Sequence, residues 1–213
     1  MQAGEPLFPI ETDENANDRI GRVLVIACGA LAREIVALRD QNGLDHIDLT
    51  CLPAKLHNTP DKIPEEVRRT IMLHRDVYSD ILVAYGDCGT GGLLDKVLEE
   101  TGARRIEGAH CYAFFTGLEE FDKLEDDQLG TFYLTDFLAR HFQTMVIEPL
   151  GLDWHPHLRD MYFEHYTRLL YLAQTDDPKL EEAAREAAKR LDLPFEMKRT
   201  GYGMLDPFLE NKT

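Results

Sequence analysis

The sequence predicts an α/β fold built on a doubly wound, mostly parallel sheet. Three observations carry that prediction: short, wholly apolar runs of the kind buried on both faces of a sheet, a helical pattern after each run, and glycine or proline at the junctions.

The first run, Val23 to Ala27, is rich in β-branched residues, and Leu31, Ile35 and Leu38 then recur at helical spacing. Ile47, Leu49 and Cys51 alternate along a second strand that Pro53 stops. The segment from Pro60 to Val77 then offers a proline start, acids in its first turn, and Val67, Ile71 and Leu73 inside. Ile81 to Tyr85 makes a third buried strand and Leu93 to Glu99 a third helix. Residues 103–111 read as a fourth strand leading into the aromatic run "CYAFF". Strand and helix alternate, so the strands should lie parallel with right-handed crossovers, a Rossmann-like arrangement.

After Gly117 the pattern changes. An acidic connection is followed by residues 131–147 and 155–174, which read as two long aromatic helices, and by an amphipathic helix over 178–191 that ends before Pro194. "FEMKRTGYGMLDPFL" returns a last strand and tail. The expected organisation is an N-terminal arm, residues 1–20, and a single α/β domain, residues 21–213, in which 131–192 form a mainly helical C-terminal portion. The arm is polar and aperiodic, either disordered or laid across a neighbouring copy in a homodimer.

Composition limits the functions available. The chain has 213 residues, 44% of them hydrophobic, enough for a packed core. Its 39 acidic against 23 basic residues give a formal charge of -16, which repels phosphate backbones and anionic lipid, so neither nucleic acid nor membrane is an expected partner. No apolar run approaches the roughly 20 residues needed to span a bilayer. The acidic N-terminus lacks the basic and apolar regions of a secretory signal, and the expected location is the cytoplasm. There, four cysteines are expected as thiols or metal ligands rather than disulfides.

Placed on this skeleton, Cys28, Cys51, Cys88 and Cys111 each fall at the carboxyl end of an expected strand or within two residues of it. That edge of an open parallel sheet is where ligands bind. In a 2-1-3-4 strand order the strands leading to Cys28 and Cys88 are neighbours, with that of Cys111 next along. Adjacent strands are about 4.8 Å apart, so these three thiols can approach one centre. Cys28, Cys88 and Cys111 are therefore the candidate metal ligands. Zinc takes sulfur at about 2.3 Å in a tetrahedron, and an iron-sulfur (4Fe–4S) cluster accepts a wider span. Inert packing is the alternative for any one buried cysteine.

The turn "GDCGTGG" adds a second possibility. Open N–H groups at a helix N-terminus attract anions, so Gly29, Gly89, Gly91 and Asp87 mark the backbone that would meet a cofactor's anionic group, with Asp87 alternatively capping the turn. The stretch matches neither G-x-G-x-x-G nor the Walker pattern. The same environment favours the Cys88 thiolate as ligand or nucleophile, with His57 or His110 as its base, or as a fourth ligand beside the thiols. His155, His157 and His165 sit in a stretch read as helix packing rather than a second metal site.

The motifs "ACGALAREI" (27–35), "LPAKLHNTP" (52–60), "YGDCGTGG" (85–92), "HCYAFF" (110–115), "TFYLTDFLARHF" (131–142) and "LRDMYFEHYTRLLYLAQ" (158–174) together resemble the family known as domain of unknown function 1638. The resemblance covers nearly the whole chain after Arg22. It implies one cysteine after the first strand, one in the glycine-rich turn and one after the next strand, here Cys28, Cys88 and Cys111, with Cys51 outside the set. It also implies a gene-neighbourhood association with corrinoid-dependent methyl transfer from methylamines. The expected function is a zinc or iron-sulfur protein in one-carbon metabolism, with a three-cysteine site and an open position for a small-molecule substrate, transferring a methyl group to a thiol. A non-catalytic accessory partner of a corrinoid protein or methyltransferase is one alternative. A cysteine-nucleophile enzyme is another.

Overall fold

The computed structural model describes residues 21–127 and 130–210, so the expected arm, residues 1–20, lies outside the described residues. The chain is α/β, with parallel sheets and helices on both sides of them. Among the described residues, the span read as one domain divides into two compact units, residues 21–111 with 204–210, and residues 112–127 with 130–203.

The first unit holds β1 (Val23–Cys28), α1 (Ala32–Gln41), β2 (Ile47–Leu52), α2 (Ile63–His74), β3 (Asp80–Ala84), α3 (Leu93–Thr101) and β4 (Arg104–Arg105). Its strand order is β2-β1-β3-β4, the arrangement that makes the strands leading to Cys28 and Cys88 neighbours. All pairings are parallel, and Val25 of β1 stands opposite Leu49 on one side and Leu82 on the other. Every residue of β1 is buried, which its unbroken apolar run requires. Ile35 and Leu38 of α1, with Val67 and Ile71 of α2, are also buried. Each fully buried Leu, Ile or Val contributes about 1.5–3 kcal/mol. A C-terminal helix, α9 (Leu205–Glu210), returns to this unit, where Asn42 donates to Asp206 at 2.7 Å.

The second unit holds α4 (Cys111–Thr116, its first residue assigned to the first unit), α5 (Leu118–Asp127), β5 (Thr131–Thr135), α6 (Asp136–Arg140), a π-helical turn (Gln143–Ile147), α7 (Leu158–Phe163), β6 (Arg168–Ala173), α8 (Pro178–Leu191) and β7 (Phe195–Arg199). Here the structure corrects the sequence reading. The stretches over 131–147 and 155–174, expected as long helices, each contain a strand, and β5, β6 and β7 form a second parallel sheet in that order. Thr135 ends β5 and caps α6, its hydroxyl accepting from the Leu138 N–H at 3.3 Å, so strand passes into helix without a loop. The amphipathic helix over 178–191 and the strand at "FEMKR" appear as expected, with Leu180, Ala184, Ala187, Ala188 and Leu191 packed against Leu134, Leu169 and Tyr171.

The fourth strand is also shorter than expected. Only Arg104 and Arg105 pair with β3, and the chain bends before Cys111, which opens α4 instead of ending a strand. Gly108 in this bend explains the break, since its φ of 137° lies where side chains other than glycine's are strained.

Candidate functional site

Cys28 ends β1 and caps the short 3-10 turn Gly29–Leu31, with the Ala30 N–H donating to its Sγ at 3.4 Å. A helix-start N–H aimed at sulfur favours the thiolate, but burial dominates and pushes the Cys28 thiol up to about 11. The nearby Glu34 carboxylate, buried in the first turn of α1, acts in the same direction.

Cys88 is positioned by the glycine-rich turn between β3 and α3. It holds a left-handed backbone, φ 49°, followed by Gly89, Gly91 and Gly92, all at positive φ. A left-handed non-glycine residue costs roughly 1–2 kcal/mol, and several contacts hold it there. The Cys88 N–H donates to Ala109 O at 2.8 Å and the Asp87 N–H to Gly108 O at 3.1 Å, tying the turn to the bend before Cys111. Gly86 allows that approach, because a Cβ there would lie 2.9 Å from Ala109 O. Arg105 fixes the other side, bonding Asp95 of α3 at 2.5 Å and donating to Ile106 O and Gly108 O. Cys88 and Cys111 are thus gathered by backbone, not by strand ends.

Asp87 caps the turn. Its carboxylate accepts from the Thr90 hydroxyl at 2.7 Å and from the N–H groups of Gly91 and Gly92 at 3.1 and 2.8 Å. Burial opposes its charge, but these donors and the Gly89 N–H outweigh it and hold the carboxyl below its ordinary range. The N–H groups of Gly91 and Gly92 at this turn are thus bonded to Asp87, the capping role that was the alternative for this carboxylate. Gly29 is buried in the 3-10 turn after Cys28.

His57 enters from the segment after β2, where Pro60 lies 3.6 Å from the place a Gly89 Cβ would take. Its Nδ1 donates to Ala54 O at 3.0 Å, which leaves the lone pair on Nε2, and the same Nδ1 is 3.8 Å from Cys28 Sγ. Burial disfavours the imidazolium, yet the hydrogen bond and charge of Cys88, with the Ala54 carbonyl, outweigh it and raise His57 above the ordinary imidazole value. The ring stacks on Tyr85, centroids 6.2 Å apart at 12°. His110 stands exposed in the bend beside Cys111.

Cys28, Cys88 and Cys111 share one neighbourhood. Burial pushes the Cys111 thiol well above its usual range, and Cys88 and Cys28 push it further. Cys51, on β2 opposite Ala27, is raised to about 12 by burial and by Cys28, so it stands closer to the group than expected. All four cysteines are free. Among the described residues no three His, Cys, Asp or Glu side chains stand as a ready-made ligating set. The residues nearby, Cys28, Cys88, Cys111 and His57, offer sulfur and imidazole nitrogen, donor types that suit zinc or iron.

Two participants were not singled out in the sequence. Glu34 looked like an ordinary first-turn acid of α1. Tyr85 looked like the last core residue of a strand; its signal was a hydroxyl immediately before "GDC". Elsewhere, an open cavity of about 650 Å³ in the second unit is rimmed by Arg140, Lys189 and Arg190, but Arg190 pairs with Asp153 and Lys189 with Glu186. It carries less unspent chemistry than the thiol group.

Among the described residues no helix is long and apolar enough to cross a membrane. No curated protein and no solved structure matches the chain. A family model matches residues 51–209, a span that takes in Cys51, His57, Tyr85, Cys88 and Cys111. It starts later than the quoted motifs suggest and leaves Cys28 ahead of it. The match covers most of the chain, and the protein belongs to that family, described as "Protein of unknown function (DUF1638)".

Proposed function

We propose that Cys28, Cys88 and Cys111 hold a metal centre, zinc or an iron-sulfur cluster, that keeps one position open for a small substrate in methyl-group metabolism. The observation that carries this reading is the gathering of three thiols from three separate segments, with Cys28 and Cys88 buried and both raising the energy of the Cys111 thiolate. A cation among them reverses that balance, since coordinated thiols are deprotonated outright. His57 supports it as a further ligand: its Nδ1–H is fixed on a backbone carbonyl, the second-shell bond that metal-bound histidines make.

When bound, such an ion holds an incoming thiol as thiolate, able to accept a methyl group. The corrinoid link comes from the family resemblance, and a corrinoid protein or methyltransferase in the cytoplasm is the proposed partner.

The test is metal content in wild type and in the Cys28→Ser, Cys88→Ser and Cys111→Ser variants. Stoichiometric zinc, or brown protein with bound iron, is expected in wild type. Each of the three variants should lose it, and Cys51→Ser should keep it. Full retention in any of the three breaks the trio.

A second reading is favoured by the contact between Cys88 and His57 and by the left-handed backbone of Cys88, features of a thiol nucleophile on a strand-to-helix turn. Metal-free protein alkylated fastest at Cys88, with the rate lost in His57→Gln, would establish that reading instead.

A further inference from the structure

Tyr85 is 1% exposed, and its Oη is buried without a hydrogen-bond partner. A buried hydroxyl left unmatched costs about 1–3 kcal/mol, and phenylalanine would fill the same space without that cost. The hydroxyl sits among sulfurs: Cys28, Cys88 and Cys51 all act on it, and Cys28 is the one it faces. A neutral thiol is a weak acceptor, which accounts for the absence of a regular bond. A thiolate is a strong one.

We infer that Tyr85 is a positioning residue of the thiol centre, donating its phenolic O–H to the Cys28 thiolate when a metal ion is bound. The inference rests on the metal-centre reading and adds to it the group that orients one ligand. Cys28 then accepts two hydrogen bonds, from the Ala30 N–H at 3.4 Å and from Tyr85. The Tyr85 ring stacks on His57, which is itself held by Ala54 O. Ligand-orienting groups of this kind change metal affinity by about 10–100-fold.

The test compares wild type and Tyr85→Phe, full chain, by zinc competition against a chromophoric chelator, by the sulfur-to-metal absorption of the cobalt(II) form, and by melting of the metal-free protein. Expected are 10- to 100-fold weaker zinc binding, a shifted cobalt charge-transfer band, and a metal-free melting temperature equal to or above that of wild type. A Tyr with only a packing role gives the opposite pattern, lower metal-free stability with an unchanged band. Wild type that binds zinc and a variant that binds it equally well with the same spectrum overturn the role of Tyr85 and leave the centre standing. Wild type that binds neither ion overturns both.

Discussion

At the scale of single residues, the Cys28, Cys51 and Cys111 thiols are held in the form that burial prefers. A thiol whose folded pKa is raised contributes stability that is fully present below its unfolded value, near 9, and is lost as pH climbs through the folded one. For Cys28 that window runs from about 9 to about 11, and for Cys51 from about 9 to about 12. A two-unit shift corresponds to roughly 3 kcal/mol at most. Metal-free protein should therefore lose resistance to urea between pH 9 and pH 11. Cys51→Ala provides the internal control, because with one of these thiols removed the decline over the same range should be shallower. A urea midpoint that holds level to pH 11, or a variant that declines as steeply as wild type, would show that these sulfurs are not buried as described. Zinc loading should flatten the curve for Cys28, since a coordinated sulfur carries no proton to lose.

At the scale of elements, the turn from Gly86 to Gly92 decides whether Cys88 and Cys111 meet. Two backbone bonds, from the N–H groups of Asp87 and Cys88 to Gly108 O and Ala109 O, make that connection, and they exist because Gly86 has no side chain. Gly86→Ala would place a methyl 2.9 Å from Ala109 O and 3.0 Å from Gly108 O, both backbone atoms that cannot swing aside. The expected cost is about 1–3 kcal/mol, together with a reduced metal content as the two segments part. Gly43→Ala is the comparison. It carries a left-handed φ of 63° with open space around it, so it should lower stability by about 1 kcal/mol and leave metal content unchanged. Equal metal content in both variants would mean that the turn does not assemble the site.

The same elements show what a sequence discloses. The parallel strands of the first sheet were readable because they are unbroken apolar runs followed by helices of clear period, and the edge holding Cys28 and Cys88 followed from that alternation, whereas the order β2-β1-β3-β4 entered only as a frequent arrangement that nothing in the sequence fixes. The second sheet was not readable. β5 runs straight into α6 at Thr135, and β6 begins with Arg168, a charged residue that is nevertheless buried, bonded to Thr131 at 3.0 Å and Glu196 at 2.6 Å. Any window along these stretches mixes two periods, and the aromatic spacing imitates a helix. Within the site, the glycines suggested an anion cradle because the pattern shows N–H donors but not the Asp87 carboxylate that satisfies them. Tyr85 was hidden because a strand-end tyrosine is read for its ring, and its hydroxyl matters only in three dimensions.

At the scale of the whole molecule, the chain has two compact units, each with its own parallel sheet, and every residue of the thiol group belongs to the first. The second has its own buried polar anchor. Asp136, fully buried, accepts from the Tyr171 hydroxyl at 2.7 Å, from the N–H groups of Gln174 and Thr175 at 3.1 Å each, and from the Thr175 hydroxyl at 2.5 Å. These bonds join the start of α6 to the end of β6, the two places where a strand gives way to the next segment. Asp136→Ala removes the acceptor and strands several buried donors, a loss of about 3 kcal/mol or more. If the units carry separate duties, this variant should unfold at clearly lower urea while the folded fraction binds as much zinc as wild type. Zinc at 100 times its dissociation constant should add about 2.7 kcal/mol to whatever it stabilises. That increment should persist in Asp136→Ala and vanish in Cys88→Ser. Folded Asp136→Ala protein that has lost its zinc would place part of the metal centre's support in the second unit, and the assignment of the site to the first unit alone would be wrong.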